Sequence, residues 1–228
     1  VPFGTPGTRG ADAGRHPFRL LKERAMAHHV LEMPIDEAQV RRLAAGDTVT
    51  LQRTLFGIRD ATLIAMFDRD RRTRFNLAGH AVLHTAPNVR KVPPSAAHPA
   101  GYAPVCIGTT TSIRMERFSR PLMAREGVRI IVGKGGLGGE TLAACKDLGG
   151  AYLAVIGGAA ALETTWIEAI EDVDLDDLHP ESLWRFAIRD FGPLLVGMDA
   201  AGNSLYERVE DAVAARRAAV LARIGAAE

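Results

Sequence analysis

The chain has 228 residues, of which 47% are hydrophobic and 24% charged, a composition typical of a folded domain and not of disordered, coiled-coil or collagen-like chains. Its 28 basic and 27 acidic residues give a net charge of +1, which argues against nucleic acid as the main partner. No apolar run approaches the ~20 residues that span a bilayer, and no stretch looks like a secretory signal. We therefore expect a cytoplasmic α/β protein with no membrane partner, with a flexible lead-in at residues 1–14 and a single domain at residues 15–228.

Hydrophobic periodicity and turn residues predict the elements of the first half. The first three are a helix from His16 to about Ala27, a strand within His29–Pro34, and a helix capped by Asp36 that runs through Leu43 and stops at Gly46. An alternating strand over Thr48–Leu55, a helix over Ala61–Phe67, and strands over Ala81–His84 and Val105–Ile107 follow. A loop rich in proline and alanine, Pro93–Pro104, precedes the last of these strands.

The second half alternates apolar strands with helices, which is typical of parallel βαβ units. The predicted order is helix Thr111–Arg125, strand Val128–Val132, helix Gly139–Leu148 and strand Ala151–Ile156. Strands over Trp166–Ile170, Leu183–Arg189 and Leu194–Met198 follow, and a Phe-Gly-Pro turn is predicted to join the last two as a hairpin. An amphipathic helix from about Leu205 to Ile224 ends the chain.

Neither the cysteines nor the histidines have the spacing of a metal site. Cys106 and Cys145 are too few for a disulfide framework and form no CxxC pair, so we expect no metal or cluster bound by this chain alone. His28 and His29 are adjacent and would face apart, and no other histidine pair has helical metal spacing. A hydrolase triad has no support because the GxSxG turn is missing.

The segment Gly133–Gly138 is a glycine-rich loop between a predicted strand and a predicted helix. It fits the GxGxxG pattern, but the acidic residue expected ~20 positions later on a dinucleotide fold is absent until Glu163. It is also not a Walker A loop, because Lys134 is followed by glycine. Exposed N–H groups at a helix start and one lysine, in a chain with four lysines, suit a smaller anion; a plain tight turn is the structural alternative.

Two further strand ends carry polar residues. Thr109, Thr110, Thr111 and Ser112 follow a predicted strand, where one hydroxyl would suffice as a helix cap, and Arg114 lies one turn beyond Thr110. Arg59 and Asp60 follow another strand. The structural alternative for this pair is a surface ion pair that contributes little. Because ligands of α/β sheets bind at the carboxyl ends of strands, Arg59, Arg114 and Lys134 together indicate a site that grips a dicarboxylate.

Several blocks of the sequence resemble one known family. GTTTSIRMERF, IIVGKGG, LHTAPNVRK and PESLWRF–FGPLLVGMD–GNSL are similar to the beta subunit of L(+)-tartrate dehydratase and to the C-terminal domain of class I, iron–sulfur fumarate hydratases, from about Thr48 to Leu205. The resemblance implies a swivelling three-layer β/β/α domain and the reversible removal of water from a hydroxy-dicarboxylate. It also implies a 4Fe–4S cluster, acting as Lewis acid on the departing hydroxyl, held by a cysteine-bearing alpha subunit in a heterodimer or heterotetramer.

The resemblance also assigns roles to individual residues. Thr110 matches the catalytic threonine that takes a proton from the carbon beside the carboxylate, while Arg114 and Lys134 match carboxylate ligands and Arg59 matches the arginine of the Arg-Asp turn. The chain departs from the family at Leu63, where the family usually has a histidine, and leucine neither donates a hydrogen bond nor transfers a proton. Two alternatives therefore stay open: a silent dicarboxylate-binding or regulatory module and, less favoured, a nucleotide-dependent enzyme that uses the glycine loop.

Overall fold

The computed structural model describes residues 25–156, 158 and 160–225, and within them nine strands and six α-helices. The strands are β1 (His28–Glu32), β2 (Thr48–Ile58), β3 (Ala81–His84), β4 (Asn88–Lys91), β5 (Tyr102–Cys106), β6 (Ile130–Gly133), β7 (Ala151–Ala154), β8 (Ile167–Asp174) and β9 (Leu183–Met198). The helices are α1 (Glu37–Val40), α2 (Asp60–Phe67), α3 (Ser119–Glu126), α4 (Gly139–Leu148), α5 (Ala160–Thr165) and α6 (Leu205–Ile224), with short 3₁₀ turns at Ile113–Phe118 and Asp176–Leu178.

Seven strands form one mixed sheet in the order β1-β2-β3-β6-β7-β9-β8. The first five of these strands are parallel to one another, and α4 connects the parallel pair β6 and β7, so the predicted βαβ unit is confirmed. The strand β9 runs antiparallel to β7, β8 and β2. Because β9 pairs with both β7 and β2, the strands β2, β3, β6, β7 and β9 form a closed ring of hydrogen-bonded neighbours.

The hairpin predicted at Phe191–Pro193 is wrong. Residues Leu183–Met198 form one continuous strand of 16 residues. Its first part, Leu183 to Ile188, pairs with β8, its last residues from Leu195 to Met198 pair with β7, and β2 pairs along most of its length, from Trp184 to Leu195. Register shifts at Leu51 in β2 absorb the irregular backbone around Gly192. A chain reversal there was expected from the Gly-Pro pair, but pairing with three neighbouring strands keeps this segment extended.

The helix predicted over Thr111–Arg125 begins later than expected. The hydroxyl-rich turn is paired with neighbouring segments, because Thr109 forms a bridge with Thr85 and Thr111 forms a bridge with Lys134. The chain instead forms the 3₁₀ turn and then α3. The proline-rich segment is also only partly a loop, because β5 begins at Tyr102 and pairs with β4, a strand that the sequence did not indicate.

Other elements agree with the sequence. The predicted bounds of β3, α4 and α6 are confirmed, and the strands predicted near His29, Thr48, Val128, Ala151 and Trp166 are present with shifted ends. The helix capped by Asp36 ends at Val40, before Leu43. The lead-in and the helix predicted from His16 fall, up to residue 24, outside the described residues.

The sheet separates two hydrophobic clusters. One includes the large buried side chains of Trp184, Phe186 and Phe191 on β9, and the other lies under α2, α3 and α4 and includes Leu63 and Tyr152. The helices of the second cluster follow the strand ends, which places their N-termini along one edge of the sheet. In the described part of the chain, no helix is long and apolar enough to cross a membrane.

Candidate active site

Three turns meet where the parallel strands β2, β3 and β6 end. Thr85, directly after β3, donates its backbone N–H to Ile58 at the end of β2 (N···O 3.0 Å) and its hydroxyl to Gly108 (2.8 Å). The hydroxyl-rich turn also contacts the end of β3, because the backbone N–H of Thr110 donates to the carbonyl of His84 at 2.7 Å. Thr111 then pairs in parallel with Lys134, after β6. The turns that carry Arg59, Thr110 and Lys134 are therefore adjacent, as predicted. The turn of Thr110, however, follows β5, which pairs antiparallel with β4 outside the seven-stranded sheet.

Asp60 connects the turn after β2 to the turn that carries Thr110. The Nε of Arg114 lies 3.0 and 2.9 Å from the two carboxylate oxygens of Asp60, and Nη2 of Arg114 donates to Oγ1 of Thr110 at 3.1 Å. Arg59 also contacts Asp60, with Nε 3.3 Å from Oδ2. These four side chains form one hydrogen-bonded group that stays partly exposed, with 43% of the Arg114 side chain and 30% of the Arg59 side chain accessible.

The PESLW block orients Arg59 from a distant part of the chain. Glu181, just before β9, accepts a hydrogen bond from the backbone N–H of Ala61 at 2.7 Å and lies 3.3 Å from Nε of Arg59. The hydroxyl of Thr62 donates to the carbonyl of Glu181. A carboxylate at the start of α2 satisfies an N–H that no helical carbonyl can reach, and it holds the neighbouring guanidinium in place.

The neighbouring threonines of the turn have different surroundings. The side chain of Thr110 is half-buried and contacts Arg114, whereas Thr109 is only 7% exposed and donates its hydroxyl to Glu163 at 2.6 Å. The hydroxyl of Thr110 is thus directed to the arginine side chains, and the hydroxyl of Thr109 is directed to the protein interior. Replacing Thr109 by valine would leave a buried carboxyl without its partner, so Thr111, which is exposed, is the better control for Thr110.

The glycine loop presents a lysine but no free helix start. The carboxylate of Glu116 accepts from the backbone N–H groups of Gly138 (2.8 Å) and Thr141 (3.2 Å), so the chain itself fills the anion position that the loop predicted at the N-terminus of α4. A nucleotide phosphate would have to displace this carboxylate. Lys134 is half-buried, and no described residue offers its ammonium group a carboxylate within 4.0 Å.

Backbone proximity explains the first glycine of the loop. A Cβ added at Gly133 would lie 1.8 Å from Oγ of Ser112 and 2.9 Å from the hydroxyl of Tyr152. Both groups belong to a buried polar network, because Tyr152 donates to Ser112 at 3.2 Å and Ser112 is 3.0 Å from Nδ1 of His84. Glycine at position 133 is therefore needed for the loop to approach the turn that carries Thr110.

His84 lies at the centre of this network, and its role was not indicated by the sequence. The side chain is 1% exposed, and burial lowers the pKa of the imidazole to about 4, with Asp60 opposing and Arg114 supporting the shift. The ring is therefore neutral at pH 7 and serves as a hydrogen-bonding partner of Ser112. A single histidine at the end of an apolar strand did not indicate that its ring would be buried and hydrogen-bonded to Ser112.

Glu163 is a second buried polar residue whose position the sequence did not indicate. It is 2% exposed on α5, a helix that follows β7 and packs against β5, where the N–H of Ile107 donates to Oγ1 of Thr164 at 2.8 Å. Burial raises the pKa of the Glu163 carboxyl, while its hydrogen bonds from Thr109 and the charge of Lys134 oppose the shift.

Leu63 and the cysteines lie apart from these polar groups. Leu63 is fully buried in the hydrophobic cluster below α2, so its side chain offers the site no polar group. Cys145 is buried in the same cluster, and burial raises the pKa of its thiol to about 12. Cys106 is exposed, and in the described part of the chain no three His, Cys, Asp or Glu residues are grouped as metal ligands would be. The residues of this chain do not fit an iron–sulfur cluster.

The fold and the three turns define a mixed α/β protein with cationic side chains gathered at the carboxyl edge of its parallel strands. The family model described as "Fumarase C-terminus" matches residues 13–209, and the chain belongs to this family. The earlier resemblance to tartrate dehydratase beta subunits and class I fumarate hydratases is thereby confirmed.

Individual relatives support the family assignment. The chain is 34% identical to the "L(+)-tartrate dehydratase subunit beta" of Escherichia coli (strain K12) over 196 residues, 86% of this chain and 94% of that protein. It is 35% identical to the "Putative L(+)-tartrate dehydratase subunit beta" of Methanocaldococcus jannaschii over 184 residues, 78% of this chain and 91% of that protein. It is 38% identical to the "Putative fumarate hydratase class I" of Geobacillus stearothermophilus over 181 residues, 79% of this chain but only 34% of that protein, so the chain spans about a third of this relative.

Proposed function

We propose that this chain is the beta-type subunit of a hydro-lyase that reversibly removes water from a small hydroxy-dicarboxylate of the tartrate or malate/fumarate type. The observation that carries the proposal is the hydrogen-bonded group of Arg114, Asp60 and Thr110, with Lys134 on the adjoining turn. Relatives named as tartrate dehydratase beta subunits and a class I fumarate hydratase support the reaction class. We propose the swivelling three-layer β/β/α arrangement for the domain on the same grounds.

The proposed roles follow from the charges. Arg114 and Lys134 bind the substrate carboxylates, since a guanidinium offers paired donors and an ammonium offers a point charge. Arg59, held by Asp60 and Glu181, contributes a third cation beside them. Substrate carboxylates and the carboxylate of Asp60 then share the same arginines, so binding orients the substrate relative to Thr110.

Thr110 is the proposed base. A threonine hydroxyl is a weak base unless its alkoxide is stabilised. The Nη2 group of Arg114 donates to Oγ1 of Thr110 at 3.1 Å and therefore stabilises the charged form of the oxygen more than the neutral form. In the elimination, Thr110 takes the proton from the carbon beside the carboxylate while Arg114 and Lys134 hold the negative charge that develops there.

The iron–sulfur cluster is proposed to lie on a partner. This chain has two cysteines, one buried in the core and one exposed, and cannot supply three thiolates. Its own residues therefore account for substrate binding and proton removal only. Exposed apolar side chains flank the site segments at Val105, Ile113, Ile156 and Leu162, and a covering subunit would remove them from water.

Co-expression tests the proposal. The full chain alone should be inactive and free of iron, whereas anaerobic co-expression with a cysteine-bearing partner from the neighbouring reading frame should give a brown complex that dehydrates L-tartrate or malate. Turnover by this chain alone would contradict the subunit proposal, and a brown complex that turns over none of these acids would contradict the proposed reaction.

The second candidate is a silent module that binds dicarboxylates without turnover. The specific observation in its favour is Leu63, which lies in the core where the family usually has a histidine. The buried imidazole of His84 does not replace it, because its side chain is enclosed and hydrogen-bonded to Ser112. A complex that binds L-tartrate with Lys134-dependent affinity but shows no turnover would favour this alternative.

A further inference from the structure

The carboxyl group of Glu163 is buried directly behind the turn that carries the proposed base. It is 2% exposed and accepts the hydroxyl hydrogen of Thr109 at 2.6 Å. Thr109 also pairs with Thr85 across the end of β3. A buried carboxyl with a short contact to this turn restricts the position of the next residue, Thr110.

The same carboxyl lies within the electrostatic influence of the proposed anion ligand. Both residues contact the same turn: Thr109 donates to Glu163, and Thr111, two residues later, pairs with Lys134 on the β6–α4 loop. The positive charge of Lys134 favours the ionised form of Glu163. Burial acts in the opposite direction and raises the pKa above the ordinary value of a glutamate. The hydrogen bond to Glu163 comes from Thr109, and the backbone N–H of Ile107, just after β5, donates to Thr164 on α5.

We infer that Glu163 is a positioning residue that holds the Thr109–Thr110 turn and balances the charge of Lys134, so that binding of a dicarboxylate at Lys134 is coupled to partial protonation of Glu163. The inference rests on the proposed function for the chemistry of the ligand. The physical reason is competition: a substrate carboxylate and the Glu163 carboxylate both draw on one ammonium group, and two negative charges near it repel each other. Protonation of Glu163, with a proton from solvent, removes that repulsion.

The substitution Glu163→Gln removes the negative charge of the side chain and keeps its shape. Glutamine has the same shape and can still accept the hydrogen bond of Thr109, so the turn should remain in place. We expect the variant to bind L-tartrate about threefold to tenfold more tightly at a pH where wild-type Glu163 is ionised, which corresponds to a coupling of up to one pKa unit. Tighter binding on removal of a charged residue is the opposite of what a purely structural role predicts.

Calorimetry on the full chain measures the coupling. L-tartrate is titrated in two buffers with different ionisation enthalpies, over a pH range in which both of its carboxyl groups are ionised. Wild type should take up a fraction of a proton, and Glu163→Gln should take up none. The matched control is Glu140→Gln, which removes the same charge from an exposed position in the first turn of α4 and should retain the uptake. Equal proton uptake in wild type and Glu163→Gln would overturn the inference.

A ligand-free measurement separates this inference from the proposed function. NMR titration of ¹³C-labelled glutamate should show a higher pKa of Glu163 in Lys134→Met than in wild type, because the favourable charge is lost. An unchanged pKa would overturn the coupling even if L-tartrate binds. A raised pKa without L-tartrate binding would instead contradict the proposed function and leave the Glu163–Lys134 coupling established.

Discussion

Cationic side chains have different partners in two regions of the molecule. In the segment after α2, Arg74 makes two hydrogen bonds to Asp172 on β8, at 2.7 and 2.6 Å, and Thr73 adds a third to Asp174 at 2.7 Å. At the carboxyl edge of the parallel strands, Lys134 has no carboxylate within 4.0 Å among the described residues, and Arg59 reaches its acidic neighbours only at 3.3 Å through Nε. The first region joins a loop to the sheet, and the second keeps cationic groups available.

This difference separates structural charge from charge that can bind a ligand. Arg74 commits both Nη groups to Asp172 and has little left to offer a substrate, whereas Arg114 contacts Asp60 through Nε alone. A half-buried ammonium group without a carboxylate partner gains from binding an anion. Residue type alone does not distinguish structural cations from ligand-binding ones, because arginines occur throughout the chain. Their partners decide which of them belong to a site.

The largest expected effect tests whether the site region performs chemistry. In the complex with its proposed partner, Thr110→Val should lower turnover by about 10²–10⁴-fold, the range for loss of a general base, with little change in substrate affinity. Turnover number and melting temperature are measured together. Thr111→Val, an exposed change in the same turn, should leave both nearly unchanged. Equal small effects of the two variants would make the turn a structural feature.

The pH dependence of stability tests whether the imidazole of His84 is shielded from water. Because burial holds its pKa at about 4, the unfolded chain binds a proton between pH 6.5 and 4 that the folded chain does not, and stability must fall as the pH is lowered through this window. From pH 6.5 to 4.5 wild type should lose about 2–3 kcal/mol more than His84→Asn, as judged from denaturant unfolding. Parallel pH profiles of the two proteins would show that the imidazole is hydrated.

Lys134 tests the availability of the site cation. Lys134→Ala should weaken binding of L-tartrate by about 1.5–3 kcal/mol, the value of a hydrogen bond to a charged group, and calorimetry gives the affinity. Unfolding free energy should change by less than the binding free energy, since the ammonium group has no carboxylate within 4.0 Å in the described part of the chain and acts on Glu163 only at longer range. Binding of NAD or ATP should be undetectable in both proteins. Saturable, Lys134-dependent nucleotide binding would instead support the nucleotide alternative.

The smallest expected effect is the loss of stability when Arg74, in the structural region, is replaced by alanine. Arg74→Ala should cost about 0.2–1 kcal/mol of stability, the range for an exposed pair, and leave L-tartrate affinity unchanged. The arginine lowers the pKa of Asp172, so this contribution is present above the ordinary carboxyl pKa and is lost as the pH falls through the folded-state value. A double-mutant cycle with Asp172→Asn measures it. An effect on affinity would contradict the separation of the two regions.

The predictable part of the site consists of turns that follow strands. Apolar strands, glycine and helix starts indicated where Arg59, Arg114 and Lys134 would stand, because these signals depend on residues close together in the chain. The directions of Thr109 and Thr110 were not predictable. One side chain contacts α5 and the other contacts Arg114, and this depends on elements more than 50 residues apart in the case of Glu163.

The sequence by itself determined the elements whose stability is local: β3, α4 and α6 have the predicted bounds because apolar periodicity and terminal residues define them. Only the tertiary structure decided that Leu183–Met198 stays one strand, since its pairing with β2, β7 and β8 outweighs the turn preference of Gly192 and Pro193. It also decided that Glu116 fills the start of α4 and that Glu163 lies behind the hydroxyl turn. Buried carboxylates must find hydrogen-bond donors wherever the fold brings them, and no local pattern records which donors these are.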